Sequence, residues 1–159
     1  MKKASACIIL ALAIFLSITS CNIKIDTDPD EWRIFHNQKQ YSLSDYHIDY
    51  LELSRYGTEL AMIYDYDDMI ALFDMVNELV LTKSHESNNL PPDFELLCTV
   101  SFVREYEDRA NVSYYFNVST TGEICYLRDR IAAVSVVYVG NSTEILDEVN
   151  RLIKLYNEE

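Results

Sequence analysis

The chain has 159 residues, with 13 Lys and Arg against 26 Asp and Glu, for a formal net charge of −13. Such a surface repels phosphate backbones and anionic lipid head groups, which argues against nucleic acid as a partner and against a basic membrane-binding face. Apolar residues make up 49% of the chain, with 12 Tyr and 6 Phe, which is the composition of one folded domain and not of a disordered polymer.

Met1-Lys2-Lys3 is a short positive segment. Ala6 to Leu16 is almost continuously apolar, through Ile8, Ile9, Leu10, Leu12, Ile14 and Phe15. Ser17 to Ser20 are smaller and more polar, and Cys21 follows. This is the layout of a secretory signal. The apolar run is shorter than the roughly 20 residues of a membrane-spanning helix. Ile18-Thr19-Ser20-Cys21 resembles the lipobox of a bacterial lipoprotein. The resemblance covers only the first 21 residues. It implies a signal peptide over 1–20, cleavage between Ser20 and Cys21, a diacylglycerol thioether on the Cys21 sulfur, and often acylation of the new amine. Two or three acyl chains hold a protein stably where one holds it marginally. The alternative is an ordinary signal or an uncleaved anchor with an incidental cysteine. The resemblance also implies a bacterial cell-envelope address on the extracytoplasmic side. Asn22 is not the aspartate that retains some lipoproteins in the inner membrane, so periplasmic and cell-surface positions both stay open. Cleavage would remove Lys2 and Lys3 and no acid, taking the net charge from −13 to −15.

Residues 21–45 read as a lipidated acidic tether, carrying Asp26, Asp28, Asp30 and Glu31 around Pro29. Trp32, Ile34 and Phe35 interrupt it as residues that dock on the domain. The spacing Asp26-x-Asp28-x-Asp30 is similar to the start of a calcium loop. Glu31 stands where that loop needs glycine, and Asn37 where it needs the bidentate glutamate. A solvated spacer is the better reading. An acidic run near the lipid cysteine is also similar to the surface-export signals of some Bacteroidetes lipoproteins.

A single domain is expected over 46–159. Ile48 to Ser54 and Thr58 to Tyr64 read as a hairpin around Tyr56-Gly57. Pairing Arg55 with Thr58 puts Leu53 opposite Leu60 and Leu51 opposite Met62. A helix follows from Asp67 to about Thr82, with Asp65, Asp67 and Asp68 as cap and favourable charge. Its stripe is Met69, Ile70, Phe73, Val76, Leu79 and Val80. Residues 83–89 end it, and Pro91-Pro92 block continuation.

Phe94 to Glu105 is the longest predicted strand, with Phe94, Leu96, Cys98, Val100 and Phe102 on one face. Asn111 to Val118 returns, with Val112, Tyr114, Phe116 and Val118 together. Pairing Glu105 with Asn111 sets Phe102 against Tyr114, Val100 against Phe116 and Cys98 against Val118. Glu123 to Leu127 follows a turn at Thr120-Thr121-Gly122, with Cys125 opposite Phe116 and Leu127 opposite Tyr114. Arg128-Asp129-Arg130 turns into a fourth strand, Ile131 to Val139. Asn141 caps a last helix with Glu144 completing a capping box. Its stripe is Ile145, Leu146, Val149, Leu152, Ile153 and Tyr156.

The predicted class is α+β: an antiparallel sheet in β-β-α-β-β-β-β-α order with two helices packed on one face. Leaving out the first strand, the order is similar to the TATA-binding-protein-like arrangement. That resemblance is in element order only and implies no function. Cys98 and Cys125 fall on strands separated by a third, roughly 10 Å apart at about 4.8 Å per strand. That is beyond disulfide reach, so both read as buried thiols.

No catalytic motif stands out. Three glycines (Gly57, Gly122, Gly140) exclude a phosphate loop or a serine elbow. His36, His47 and His85 are not paired at metal spacing, so no metal and no cofactor is expected. Asp65, Asp67 and Asp68 could pair carboxylates for acid/base work, although helix capping accounts for them. Asn111, Asn117 and Asn141 start glycan-type triplets, which strand and cap roles explain. The sheet face away from the helices would show Thr99, Ser101, Ser113, Tyr115, Asn117, Ile124 and Tyr126, with Tyr115 and Tyr126 as cross-strand neighbours. Tyrosine is favoured at interfaces, so Thr99, Ser101, Ser113, Tyr115 and Tyr126 form the candidate binding face. High strand propensity of tyrosine gives the plainer reading of a solvated face. The expectation is therefore a membrane-anchored, non-catalytic binding domain for an envelope protein or polymer. An envelope hydrolase using Asp65–Asp68 and an accessory subunit of an envelope assembly are the alternatives.

Overall fold

The computed structural model describes residues 30–35, 43–106, 109–128 and 135–157. Its elements are β1 (Glu31–Trp32), a 3₁₀ turn (Leu43–Tyr46), β2 (Tyr50–Arg55), β3 (Thr58–Ile63), α1 (Tyr66–Glu78), β4 (Leu81–Glu86), β5 (Leu96–Tyr106), β6 (Arg109–Ser119), β7 (Glu123–Arg128), β8 (Val136–Asn141) and α2 (Thr143–Asn157). The sheet runs β1-β4-β8-β7-β6-β5-β2-β3, each neighbouring pair antiparallel. Both helices pack into one apolar cluster on one face of it, through Met69, Leu72, Phe73 and Val76 of α1 and Ile145, Val149 and Leu152 of α2, whereas Val80 of the expected stripe lies beyond the helix and is exposed. This is the expected α+β class and element order, with β1 and β4 added. β4 interrupts the TATA-binding-protein-like order after its helix. The expected signal peptide, Cys21, Asp26 and Asp28 lie outside the described residues.

The first helix ends at Glu78, not near Thr82. Leu79 is extended and donates its N–H to the Val76 carbonyl. Residues 81–86, expected to finish the helix and enter a polar loop, are a strand between β1 and β8. Leu81 is fully buried against Gly140, where an added Cβ would lie 2.7 Å from the Leu81 side chain. The mostly polar sequence Thr82-Lys83-Ser84-His85 carries little apolar alternation, so its strand character comes from neighbours on both sides. Arg33 completes the helix end by donating to the carbonyls of Asn77 (3.0 Å) and Glu78 (3.2 Å). A cation there also suits the negative end of the helix dipole.

In the hairpin, Tyr56 and Gly57 take φ of 52° and 77°, as a primed two-residue turn requires. Arg55 pairs with Thr58 as expected. Leu60 is an extra residue, so Leu53 meets Ala61 and Leu51 meets Ile63, one step beyond the expected Leu60 and Met62. The bulge turns Ala61 and Ile63 inward, where both are buried.

The centre of the meander has the expected register: Phe102 with Tyr114, Val100 with Phe116, Cys98 with Val118. Two bulges change its ends. An extra Ser113 makes Arg104, not Glu105, the partner of Asn111 and leaves Val112 exposed. An extra Leu97 turns Phe94 and Leu96 to the face opposite Cys98. On β7, Cys125 pairs with Asn117 instead of Phe116, and Ile124 with Val118. A slip of one residue reverses faces. Ile124 and Tyr126 therefore point to the helices, and Cys125 and Leu127 away. The fourth strand starts at Val136, and the expected residues 131–134 lie outside the described ones. Ser142, not Asn141, caps α2: its Oγ accepts from the Ile145 N–H at 3.2 Å, and Asn141 closes β8.

Phe35 is fully buried at the middle of an aromatic group, 4.5 Å from Phe73, 4.9 Å from Phe102 and 5.0 Å from Tyr114 between centroids. Trp32 and Ile34 are buried with it. These residues dock on the domain as expected, and the folded unit takes in residues 30–35, ahead of the expected boundary at 46.

Candidate functional site

The sheet face away from the helices has two halves. One is apolar and covered. Phe94, Leu96, Cys125 and Val137 form a small buried cluster there with Leu90, Leu127 and Val139. The connection between β4 and β5 supplies Leu90 and Phe94 and lies over it. Its ends are fastened by hydrogen bonds. The Ser87 N–H donates to the Ser135 carbonyl (2.9 Å), and the Ser135 N–H to Asn88 Oδ1 (2.9 Å). The Thr120 N–H donates to the Glu95 carbonyl (2.9 Å), and the Thr120 hydroxyl to Glu95 Oε2 (2.9 Å).

The other half is polar. Ser101 pairs with Tyr115 and Thr99 with Asn117, so the residues expected to share this face do so in part. Thr99 Oγ1 donates to Asn117 Oδ1 (2.8 Å), and Asn117 Nδ2 to the Cys125 carbonyl (3.4 Å). Ser101 is 7% exposed, Thr99 and Tyr115 are half-buried, and Ser113 is exposed on its bulge. Tyr126 is not on this face. It stacks almost parallel on Trp32, at 6.3 Å and 9°, on the helix side. Its ring still lies 6.4 Å from Tyr115. The described β6–β7 pairs are Asn117–Cys125 and Val118–Ile124 alone, so the two rings meet beyond the end of that ladder. Ile124 is fully buried. A flat face of five residues including Tyr126 is thus corrected to Thr99, Ser101 and Tyr115 beside Asn117.

The aspartates are held in the fold. Asp65 is the N-cap of α1 and accepts from the N–H groups of Asp67 (3.0 Å) and Asp68 (3.1 Å). Asp68 reaches α2, accepting from Arg151 Nη2 (2.6 Å) and the Tyr156 hydroxyl (2.8 Å). Burial pushes its carboxyl up, but the Arg151 and Tyr156 hydrogen bonds and the Arg151 charge outweigh that and hold it below the ordinary value of 3.8. Burial, and then the bond to Asp68, push the Tyr156 phenol up to about 12. This geometry clasps two helices together.

Cys98 and Cys125 are free and buried, on β5 and β7 with β6 between them, facing opposite sides of the sheet. Burial pushes each thiol up to about 12, so neither is a ready thiolate at neutral pH. His85 Nδ1 lies 2.9 Å from Ser84 Oγ, His47 is exposed, and His36 lies outside the described residues. Among the described residues no group of three or more His, Cys, Asp or Glu could hold a metal ion. Among them, too, no helix is long and apolar enough to cross a membrane.

One corner escaped the reading of the sequence. Tyr50 and Glu52 lie on the polar side of β2, and the two-residue turn brings Tyr64 across from Tyr50. The two rings pack at 5.3 Å and 38°. Tyr50 is 5% exposed, whereas Tyr64 is 62% exposed. On β5 the Glu105 N–H donates to Asp49 Oδ2 (2.7 Å), bringing a third strand to the same corner. Burial, and then the charges of Glu105, Glu52 and Glu59, push the Tyr50 phenol up. The readable signal was the alternation of Tyr50 with Leu51 together with the turn at Tyr56-Gly57. Comparison with protein-family models, curated proteins and solved structures finds no match to this chain.

Proposed function

We propose that this chain is a cell-envelope lipoprotein, held to the membrane by acyl chains on Cys21, whose domain is a non-catalytic binding module. The observation that carries the reading is the order of residues 1–21: Lys2-Lys3, the apolar run to Leu16, then Ile18-Thr19-Ser20-Cys21. The acidic residues 26–31 agree with a spacer above a surface that would repel them. The commitment of Asp65 and Asp68 to a cap and a clasp favours binding over carboxylate hydrolysis.

The test is expression of the full chain and of Cys21→Ala in a bacterial host fed labelled palmitate. The wild-type chain should enter the detergent phase, carry label, and have the mass of residues 21–159 plus lipid. Cys21→Ala should stay uncut and unlabelled. An unlabelled wild-type product in the aqueous phase would overturn the reading.

A further inference from the structure

We propose that the outer edge of β3 pairs with a short extended segment of a partner protein, one that carries Lys or Arg on alternate residues. This deepens the binding-module reading and rests on it, but not on the lipid anchor. The first observation is position. β3 ends the sheet order, and among the described residues no strand lies on its outer side. The N–H and C=O groups on such an edge are a template for another strand. The opposite end of the sheet is closed differently. There β1 is two residues long, and the next group along β4, the Lys83 N–H, donates to the Asp30 carbonyl at 2.7 Å. β3 runs for six residues, roughly 20 Å of edge at about 3.3 Å per residue. The bulge at Leu60 bends this edge, which suits a short neighbour and discourages open-ended sheet growth.

The second observation is charge. From Tyr56 to Thr82 the chain has six acidic residues and no Lys, Arg or His. That run builds β3 and α1. Asp65 and Asp68 are committed to the cap and the clasp, whereas Glu59 stands exposed on the edge strand itself. The third is aromatic surface. Tyr56 precedes β3, and Tyr64 and Tyr66 follow it, at 79%, 62% and 48% exposure. The exposed rings therefore flank both ends of the edge. These features choose among occupants. A second copy would bring a net charge of −13 against −13 and lay Glu59 beside the same acidic edge, so like charges oppose self-pairing. A basic strand instead meets Glu59 along the edge and tyrosine faces at its ends, which attract cations. Main-chain hydrogen bonds hold the added strand, and the cations select it.

The experiment titrates the full-length protein in neutral detergent with the end-capped peptide Lys-Val-Lys-Val-Lys-Val. Two control peptides run beside it: one with Glu in place of Lys, and one methylated on every backbone nitrogen. Sodium chloride is matched throughout, and nuclear magnetic resonance reads the backbone amides. Saturable shifts and slowed amide exchange within Glu59–Ile63 are expected with the basic peptide. Affinity should fall by about tenfold or more with either control peptide and in Glu59→Lys. Glu59 is exposed, so this variant keeps the fold. No saturable response in β3 overturns the proposal. Equal binding of the methylated peptide would reduce the effect to charge without strand pairing, and equal binding of the Glu peptide would remove the selection for cations; either overturns it. Slowed exchange in β3 that grows with protein concentration and needs no peptide overturns it in favour of a second copy. Failure of the peptide on a chain normally acylated at Cys21 sinks the edge proposal alone, whereas lost acylation with intact peptide binding refers to the anchor alone.

Discussion

Tyr56 sits at φ 52°, a conformation that costs an L-residue with a Cβ about 1–2 kcal/mol. Burial does little to repay it, since the side chain is 79% exposed, with the Arg55 guanidinium 5.6 Å from its ring. Asparagine before glycine is the preferred pair for this turn. Tyr56→Asn is therefore expected to stabilise the protein by about 0.5–1 kcal/mol, seen as a higher midpoint in thermal unfolding; a lower midpoint would show that the Tyr56 ring contributes more than its exposure indicates. Gly122 is the opposite case. It has φ 85°, which favours glycine, and an added Cβ would also lie a tight 3.2 Å from the Ser142 carbonyl at the start of α2. The turn residues were legible in the sequence because glycine marks them. Tyr56 was legible only by position, since no local rule selects tyrosine there.

At the scale of elements, α1 and α2 are joined by a polar clasp centred on Asp68. Asp68 accepts from Arg151 and Tyr156, and Arg151 also donates to Glu148, at 2.8 Å from Nε and 2.6 Å from Nη2. Arg151 is nearly half exposed, so solvent weakens its part. Asp68→Asn is expected to cost about 1 kcal/mol. The clasp also sets two pH limits. Asp68 titrates below its ordinary value when folded, so its contribution is complete above about pH 3.8 and fades as pH falls through the lowered pKa. Tyr156 titrates above its ordinary 10.0, so its contribution is complete below pH 10 and is lost as pH rises through about 12. Urea midpoints measured against pH should show a shallower acid limb in Asp68→Asn and a shallower alkaline limb in Tyr156→Phe. Unchanged limbs would mean the helices are held by apolar packing alone. The helices themselves were legible from their stripes. Strand β4 was not, because Leu81 and the polar residues after it carry no pattern that separates a strand from a loop.

At the scale of the whole molecule, the segment before the hairpin is part of the core. Phe35 touches α1 through Phe73, β5 through Phe102 and β6 through Tyr114, and so ties a leading segment to both layers. Phe35→Ala is expected to cost about 3–5 kcal/mol, a large share of the 5–15 kcal/mol typical of a domain. Urea unfolding of the full chain checks this, and a loss below about 1 kcal/mol would make the segment a peripheral attachment. The α+β class, the helix stripes, the hairpin turn, the separation of the two thiols and the central register of β5 with β6 were all determined by the sequence alone. Each rests on local periodicity or on residues that only one backbone conformation accepts. The bulges at Leu60, Leu97 and Ser113, the one-residue slip of β7, the strand β4 and the burial of Ser101 were decided by tertiary structure. A bulge adds one residue without changing composition, and in a period-two element that single residue exchanges the two faces. The reading of Tyr126 as an outward residue failed for that reason, and the corner at Tyr50 came into view only when three strands had been placed side by side.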